Sequence, residues 1–243
     1  MNLIVDVGNT RVKFAVFSDK ELMWKTNFQL KAFTKEYKKV IKRFPELKSA
    51  IISSVGYIKS KDVEFIDKDL EILYLNSETQ LPFNNLYKTP NTLGVDRIAL
   101  VSASVFRFPN NNALIIDAGT CITYDFVTNE NDYLGGAISP GVRLRYKSLN
   151  NLTANLPLLE TEFPEDLVGD STVNAIHSGV VNGILHEIDG IINSYTKNYP
   201  DLTVILTGGD AKMLSEQLKS SIFATSDFLL EGLNYILEFN SHK

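Results

Sequence analysis

Apolar and polar positions divide the chain into two stretches that open in the same way. Each stretch begins with an apolar run, a glycine-containing turn and two further apolar runs, a pattern that predicts three consecutive β-strands. The predicted strands are residues 3–7, 12–17 and 23–30 in the first stretch and residues 113–117, 121–127 and 133–138 in the second. A repeated opening of this kind predicts two similar lobes.

After each opening, helical spacing alternates with short apolar runs. Helices are predicted at residues 34–44, 62–70, 95–106, 142–152, 172–195, 211–218 and 229–237, and strands at 50–55, 72–75 and 203–207. This alternation predicts the α/β class, with a mixed sheet flanked by helices in each lobe. In the helix at 172–195 apolar residues recur every three or four positions, so one face of it must be buried. The polar break from Pro109 to Asn112 sets the predicted boundary, giving lobes 1–111 and 112–243.

Composition limits the classes of protein. A chain of 243 residues with 44% hydrophobic and 22% charged residues can bury a sizeable core. A single cysteine, Cys121, excludes an internal disulfide, and we expect it to be a buried small residue. The three histidines have no metal-ligand spacing, so zinc is not expected. The net charge of −5 argues against nucleic acid as a partner, and the apolar runs are too short to span a membrane, so the cytoplasm is the expected location.

Two aspartate-glycine turns carry the main chemical signal. Asp6-Val7-Gly8-Asn9-Thr10 and Asp117-Ala118-Gly119-Thr120 each follow a buried apolar run, where an isolated carboxylate needs a compensating cation or donor. Either turn alone is an ordinary chain reversal. The occurrence of one such turn in each lobe, however, predicts a polyphosphate site. In this site backbone N–H groups hold the phosphates and the carboxylates hold cations. Lys13 either adds a positive charge to this site or points outward. No P-loop or Gly-x-Gly-x-x-Gly sequence occurs.

The segment Gly94-Val95-Asp96-Arg97 opens a predicted helix and places an acid beside a base. Asp96 is a candidate general base and Arg97 a candidate anion binder, although Asp96 equally suits the helix dipole and Arg97 an ordinary ion pair. Tyr87 lies just upstream and is a candidate lining residue of a substrate pocket. Thr172 is either a hydrogen-bond donor to substrate or part of an N-capping sequence.

Together these motifs resemble the type III pantothenate kinases of the acetate and sugar kinase, heat-shock chaperone and actin superfamily. The resemblance covers nearly the whole chain and includes the blocks Gly135 to Gly141, Thr153 to Pro157 and Thr207-Gly208-Gly209-Asp210. It implies two ribonuclease H-like (actin-like ATPase) lobes with the nucleotide cleft between them. It also implies transfer of the γ-phosphoryl of ATP to the 4'-hydroxyl of pantothenate, the first step of coenzyme A biosynthesis.

The resemblance assigns roles to individual residues. Asp96 becomes the proton acceptor and Asp117 the ligand of a monovalent cation, K⁺ or NH₄⁺, while Mg²⁺ accompanies ATP. The implied ATP contacts are Asp6, Val7, Gly8, Asn9, Thr10, Arg11, Val12, Lys13 and Thr120. The implied pantothenate contacts are Tyr87, Gly94, Val95, Asp96, Arg97 and Thr172. Thr172 would come from the second subunit of a homodimer, so the acceptor site would lie at the interface.

Two alternatives remain open from the residues. One is a kinase of the same superfamily acting on another small hydroxylated acceptor. The other is a non-catalytic nucleotide-binding regulator that contacts a partner protein or DNA. The adjacent acid and base at positions 96 and 97 disfavour the regulator, because a sensor needs no general base beside the phosphates.

Overall fold

Each of the two units into which the chain folds is built on a mixed β-sheet. The computed structural model describes residues 1–8, 11–54 and 70–241. Unit 1 contains Met1–Pro109 and Asp227–Lys243, and unit 2 contains Asn110–Ser226. The predicted helix at 62–70 falls almost wholly outside the described residues, as do the last residue of the strand predicted at 50–55 and Asn9 and Thr10 of the first turn.

Unit 1 has the sheet order β3-β2-β1-β4-β5. Its strands are β1 Asn2–Val7, β2 Val12–Ser18, β3 Glu21–Phe28, β4 Ser49–Ser54 and β5 Glu71–Tyr74, with a two-residue strand β6 at Asn84–Asn85. Its helices are α1 Phe33–Arg43, α2 Val95–Arg107 and α7 Phe228–Ser241. The first three strands are antiparallel neighbours, whereas β1, β4 and β5 run parallel.

The two faces of this sheet are buried differently. Alternate residues of β1, represented by Leu3 and Val5, pack with Phe33, Tyr37 and Val40 of α1. The opposite face meets α2 and α7, which pack so closely that a methyl group on Gly232 would overlap the carbonyl oxygen of Ala99. The last helix therefore belongs to unit 1, whereas the predicted lobe 112–243 includes it.

Unit 2 repeats this topology, with the order β11-β10-β7-β8-β9. Its strands are β7 Ala113–Ala118, β8 Cys121–Val127, β9 Asp132–Pro140, β10 Thr203–Thr207 and β11 Phe223–Ala224. Its helices are α3 Val142–Asn151, α4 Thr172–His177, α5 Gly183–Asn198 and α6 Ala211–Ser215. In both units a hairpin strand flanks one side of the first strand and a parallel strand the other. The prediction of two similar α/β lobes is confirmed.

The long helix predicted at 172–195 is continuous, with a turn of π-helix at Ser178–Asn182 joining α4 to α5. Its apolar face is buried in the core of unit 2, where Ile184 and Ile188 pack with Tyr124 and Leu206 of the sheet. This apolar face is therefore buried within the chain, and the opposite face of the helix is exposed. Cys121, in contrast, is exposed at the first position of β8, so the expectation of a buried cysteine is wrong.

Candidate active site

Asp6 is the penultimate residue of the first strand of unit 1 and is almost completely buried, with 6% of its surface exposed. It pairs across the hairpin with Lys13, whose Nζ lies 3.5 Å from Asp6 Oδ2. The Lys13 side chain is half exposed, so it reaches solvent as well as the aspartate. Burial raises the pKa of Asp6, the positive charge of Lys13 opposes this rise, and the negative charge of Asp96 adds to it. The two predicted carboxylates of unit 1 are therefore close enough to interact.

The turn after Asp6 is held by its backbone. Gly8 N donates to Arg11 O at 3.1 Å, while Asn9 and Thr10 between them lie outside the described residues. Val7 and Val12 bury their side chains in the core, which leaves only their backbone groups for a ligand. Arg11 is exposed and donates from Nη1 to Asn27 Oδ1 at 2.8 Å.

Asp96 lies in the first turn of α2, beside the N-cap residue Gly94. Its Oδ1 accepts a hydrogen bond from Arg97 N at 2.8 Å. Gly94 permits this arrangement, since a methyl group there would overlap Asp96 Oδ1. A carboxylate held through one oxygen keeps the other oxygen available to accept a proton or orient a hydroxyl.

Arg97 and Tyr87 form a second feature beside Asp96. Arg97 is 5% exposed, and its Cζ lies 5.5 Å from the centre of the Tyr87 ring. Such a cation–π contact holds the guanidinium in one orientation. The structure thus brings together four predicted residues of unit 1, namely Tyr87, Gly94, Asp96 and Arg97.

In unit 2 the second aspartate, Asp117, has a threonine on each side. It pairs with Thr123 of β8 and with Thr207 of β10, and neighbouring residues in register share one face of a sheet. Thr123 Oγ1 is buried and has no hydrogen-bond partner among the described residues. A carboxylate flanked by threonines offers oxygen ligands, which hard cations prefer. Sequence reasoning missed Thr123, because only the strand register places it beside Asp117.

Backbone contacts fix the turn after Asp117. Gly119 N donates to Cys121 O at 2.9 Å, and Gly141 N donates to Thr120 O at 3.1 Å. Thr120 is exposed at this turn. Gly208 adopts a φ of 99° directly beside Asp117, where a side chain would overlap Asp117 Oδ1. The segment Thr207-Gly208-Gly209-Asp210, which is part of the family resemblance, therefore begins against the second aspartate of the same unit.

Ser53 is a further residue that sequence reasoning missed. It pairs with Asp6 from β4, is fully buried, and its Oγ has no hydrogen-bond partner among the described residues. Thr172 is exposed at the start of α4, next to Ser171, whose Oγ caps the helix by accepting from Asn174 N at 3.2 Å. The capping function thus belongs to Ser171, and the hydroxyl of Thr172 is not needed for it.

The family resemblance implies cations, and the described residues offer two carboxylates for them. They contain no cluster of three or more His, Cys, Asp or Glu side chains arranged to hold a metal ion on its own. Asp6 and Asp117 each supply one carboxylate, which suits a cation that phosphates or hydroxyls also coordinate.

None of the described helices is long and apolar enough to cross a membrane.

Comparisons with known proteins give one family. The family model described as type III pantothenate kinase matches residues 2–194. The type III pantothenate kinase of Christiangramia forsetii is 52% identical over 240 residues, covering 99% of both chains. That of Flavobacterium johnsoniae is 47% identical and covers 98% of both.

Solved structures show the same fold at low identity. A Campylobacter jejuni protein, described as a proposed Baf family transcriptional activator, has a TM-score of 0.65 at 23% identity, covering 99% of this chain and 100% of that one. A glucokinase from an Antarctic psychrotroph has a TM-score of 0.53 at 11% identity and covers 98% of both chains. An activator of 2-hydroxyisocaproyl-CoA dehydratase from Clostridium difficile, with ADPNP bound, has a TM-score of 0.52 at 11% identity, covering 98% of this chain and 93% of that one. The actin-like ATPase and sugar kinase fold predicted from the sequence is confirmed.

Proposed function

We propose that Asp6 and Asp96 are the centre of the reaction of the family to which this chain belongs, the type III pantothenate kinases. Members of this family phosphorylate pantothenate with ATP and a divalent metal in coenzyme A biosynthesis. The observation that supports this proposal is that Asp6 is buried and pairs with Lys13 at 3.5 Å, and that Arg97 N holds Asp96 in the first turn of α2. Burial raises the pKa of Asp6, and the charge of Asp96 adds to this rise, so the two carboxylates lie near each other. A proton acceptor must lie beside the phosphates if the acceptor hydroxyl is to attack in line. Two interacting carboxylates at the ends of β1 and α2 meet this requirement.

The ATP phosphates bind at the first turn in this proposal. The backbone from Asp6 to Lys13 supplies N–H donors, apart from Gly8 N, which donates to Arg11 O, and the half-exposed Lys13 ammonium supplies positive charge. Thr120 contributes a further contact to ATP. Asp6 helps to hold Mg²⁺ on the phosphates, and this ion offsets negative charge on the transferred group.

Asp96 orients the 4'-hydroxyl of pantothenate and accepts its proton. Its Oδ1 is occupied by the backbone N–H of Arg97, which leaves Oδ2 for the hydroxyl. Arg97, held by Tyr87, binds the pantothenate carboxylate, because a guanidinium fork matches a carboxylate in geometry and charge. Gly94 and Val95 line the same region through their backbone.

We assign Asp117 to a monovalent cation, K⁺ or NH₄⁺. Support comes from Thr123, whose buried hydroxyl lacks a hydrogen-bond partner among the described residues and lies in register with the carboxylate. A cation there would reduce the negative charge near the phosphates. We place the reaction in the cytoplasm, where ATP is supplied.

A homodimer completes the acceptor site in this proposal, with Thr172 contributed by the second subunit. The exposed side of the long helix carries Thr172, Ala175, Gly179 and Gly183. Added methyl groups at either glycine would meet nothing within 4 Å. Small exposed residues at helical spacing allow another helix to approach closely. The buried apolar face of this helix has no part in the interface.

The test is ADP release by the full chain with and without pantothenate. Pantothenate-dependent turnover is expected, and Asp96→Asn should lower it by at least about a hundredfold with the KM for ATP nearly unchanged. Turnover with another hydroxylated acceptor but not with pantothenate would favour a different kinase. ATP binding without turnover on any acceptor would favour a nucleotide-binding regulator, and a DNA-binding assay would then examine the alternative partner. Indifference to replacing potassium with sodium would contradict the role given to Asp117.

A further inference from the structure

Arg145 connects three elements of unit 2 through its guanidinium group. From α3, its Nε donates to Pro140 O at 2.9 Å and its Nη2 donates to Ser139 Oγ at 3.0 Å. The same Nη2 pairs with Glu187 Oε2 of α5 at 2.5 Å. The other carboxylate oxygen, Glu187 Oε1, accepts from Tyr124 Oη at 2.8 Å. One ion pair thus fixes the end of β9 against α5 and β8.

The end of β9 lies directly against the second aspartate-glycine turn. Gly141 N donates to Thr120 O, and a methyl group on Gly141 would overlap the carbonyl oxygens of Gly119 and Thr120. Packing this tight transmits displacement, because the two backbones have no space in which to slide independently. A shift of Pro140 and Gly141 would therefore move Thr120.

The ion pair is partly buried. The side chains of Arg145 and Glu187 are 21% and 27% exposed. Burial opposes ionisation of Glu187, but hydrogen bonds from Arg145, Tyr124 and Ser139 outweigh it and hold the pKa of Glu187 below its usual range. On α3, two residues before Arg145, Arg143 pairs with Glu160, whose side chain is 86% exposed. The chain thus supplies a matched pair, one ion pair within the network and one outside it.

We propose that Arg145 and Glu187 are positioning residues that hold the Gly119-Thr120 turn in the geometry that binds the ATP phosphates. Neither residue needs to touch ATP. The ion pair acts through Ser139, Pro140 and Gly141 on the backbone of the turn. This inference rests on the proposed assignment of Thr120 to ATP.

Arg145 has a competing role as a lining residue of a cavity. Arg145 also lines a cavity of about 580 Å³ together with Thr172, Ala175 and Ile176. If Arg145 acted through this cavity, its loss would weaken pantothenate binding through Thr172. The two roles are distinguished by which substrate's KM changes.

The experiment compares the full-length enzyme with Arg145→Met, Arg145→Lys and Glu187→Gln, and with Glu160→Gln as the control. Loss of the ion pair should raise the KM for ATP about tenfold, the size expected when one hydrogen bond to a charged group is misplaced. The KM for pantothenate should stay within about twofold. Arg145→Lys should give an intermediate value, because lysine keeps the charge but lacks the planar fork. Glu160→Gln should match the wild type.

Folding is checked by circular dichroism and thermal melting, since a partly unfolded preparation lowers kcat but leaves the KM for ATP unchanged. Glu187→Gln is nearly isosteric and remains informative if Arg145→Met does not fold. Folded variants with an unchanged KM for ATP, or with only the KM for pantothenate raised, would overturn the positioning role. If the wild type has no pantothenate-dependent turnover, the proposed function fails instead. Calorimetric titration with a non-hydrolysable ATP analogue then tests the inference, which predicts about tenfold weaker binding by the same variants.

Discussion

Replacing Gly94 with alanine tests whether the position of the Asp96 carboxylate determines the rate. The backbone at Gly94 has φ −60° and ψ 135°, values that alanine adopts without strain. The added methyl carbon would overlap Asp96 Oδ1, whereas ordinary contact begins at 3.4 Å. The carboxylate must therefore move by about 1 Å, and a misplacement of this size can lower a rate by about a hundredfold.

In free energy, a hundredfold loss corresponds to about 2.7 kcal/mol of transition-state stabilisation. The cost in folding is smaller, because alanine at an N-cap position destabilises a helix by about 1 kcal/mol. That change lowers the melting temperature by about 2–4 °C in a chain of this length. Gly94→Ala should therefore remain folded and still lose most of its pantothenate-dependent turnover.

The assay is steady-state ADP release at saturating ATP, with pantothenate varied. Gly190→Ala is the control, because a methyl group at this exposed helical position meets nothing within 4 Å. The double variant Gly94→Ala/Asp96→Asn should be no slower than Asp96→Asn alone, since both changes act on one carboxylate. A Gly94→Ala enzyme within about threefold of the wild type, or a fully additive double variant, would refute this reasoning.

Three other substitutions test separate parts of the proposal. Because burial raises the pKa of Asp6, its ionisation costs stability as pH rises. Asp6→Asn should therefore melt at a higher temperature than the wild type at pH 7, show no difference near pH 3, and lose turnover. Melting curves between these pH values show whether the difference grows with pH. Thr123→Lys should make turnover independent of potassium, which kinetics in sodium buffer would check, and retained potassium dependence would contradict it. Gly179→Trp should produce monomers in sedimentation velocity and abolish turnover, while a stable dimer would exclude this face as the interface.

The strands and most helices of the described residues follow from local pattern. Buried strands such as β1 and β7 are continuous apolar runs, and the helical spacing of α2 survives in the folded chain because its apolar stripe is buried. The unit to which α7 belongs was not predictable, because a periodic apolar pattern shows that one face is buried but not what covers it. Its placement in unit 1 depends on the contact between Gly232 and Ala99, which are 133 residues apart in the sequence.

The candidate site was predictable where its residues are adjacent in sequence, as in the segment Gly94 to Arg97. Residues that reach the site through strand register or through side-chain contacts were not. Thr123 joins Asp117 only because β8 pairs with β7 in one register, and a shift by one residue would turn it to the other face. Arg145 and Glu187 are separated by the whole segment between α3 and α5, and no local pattern links them.

The strand register also explains why two similar turns hold different charges. In unit 1 the hairpin partner of the aspartate is Lys13, a cation carried by the chain itself. At the equivalent position of unit 2 the partner of Asp117 is Thr123, a buried hydroxyl. A carboxylate paired with lysine is compensated from within, whereas one beside a hydroxyl is best stabilised by a cation from solution. One difference between matched positions therefore leaves the aspartate of the first turn compensated by Lys13 and gives the aspartate of the second turn to the proposed monovalent cation. It is this difference that Thr123→Lys removes.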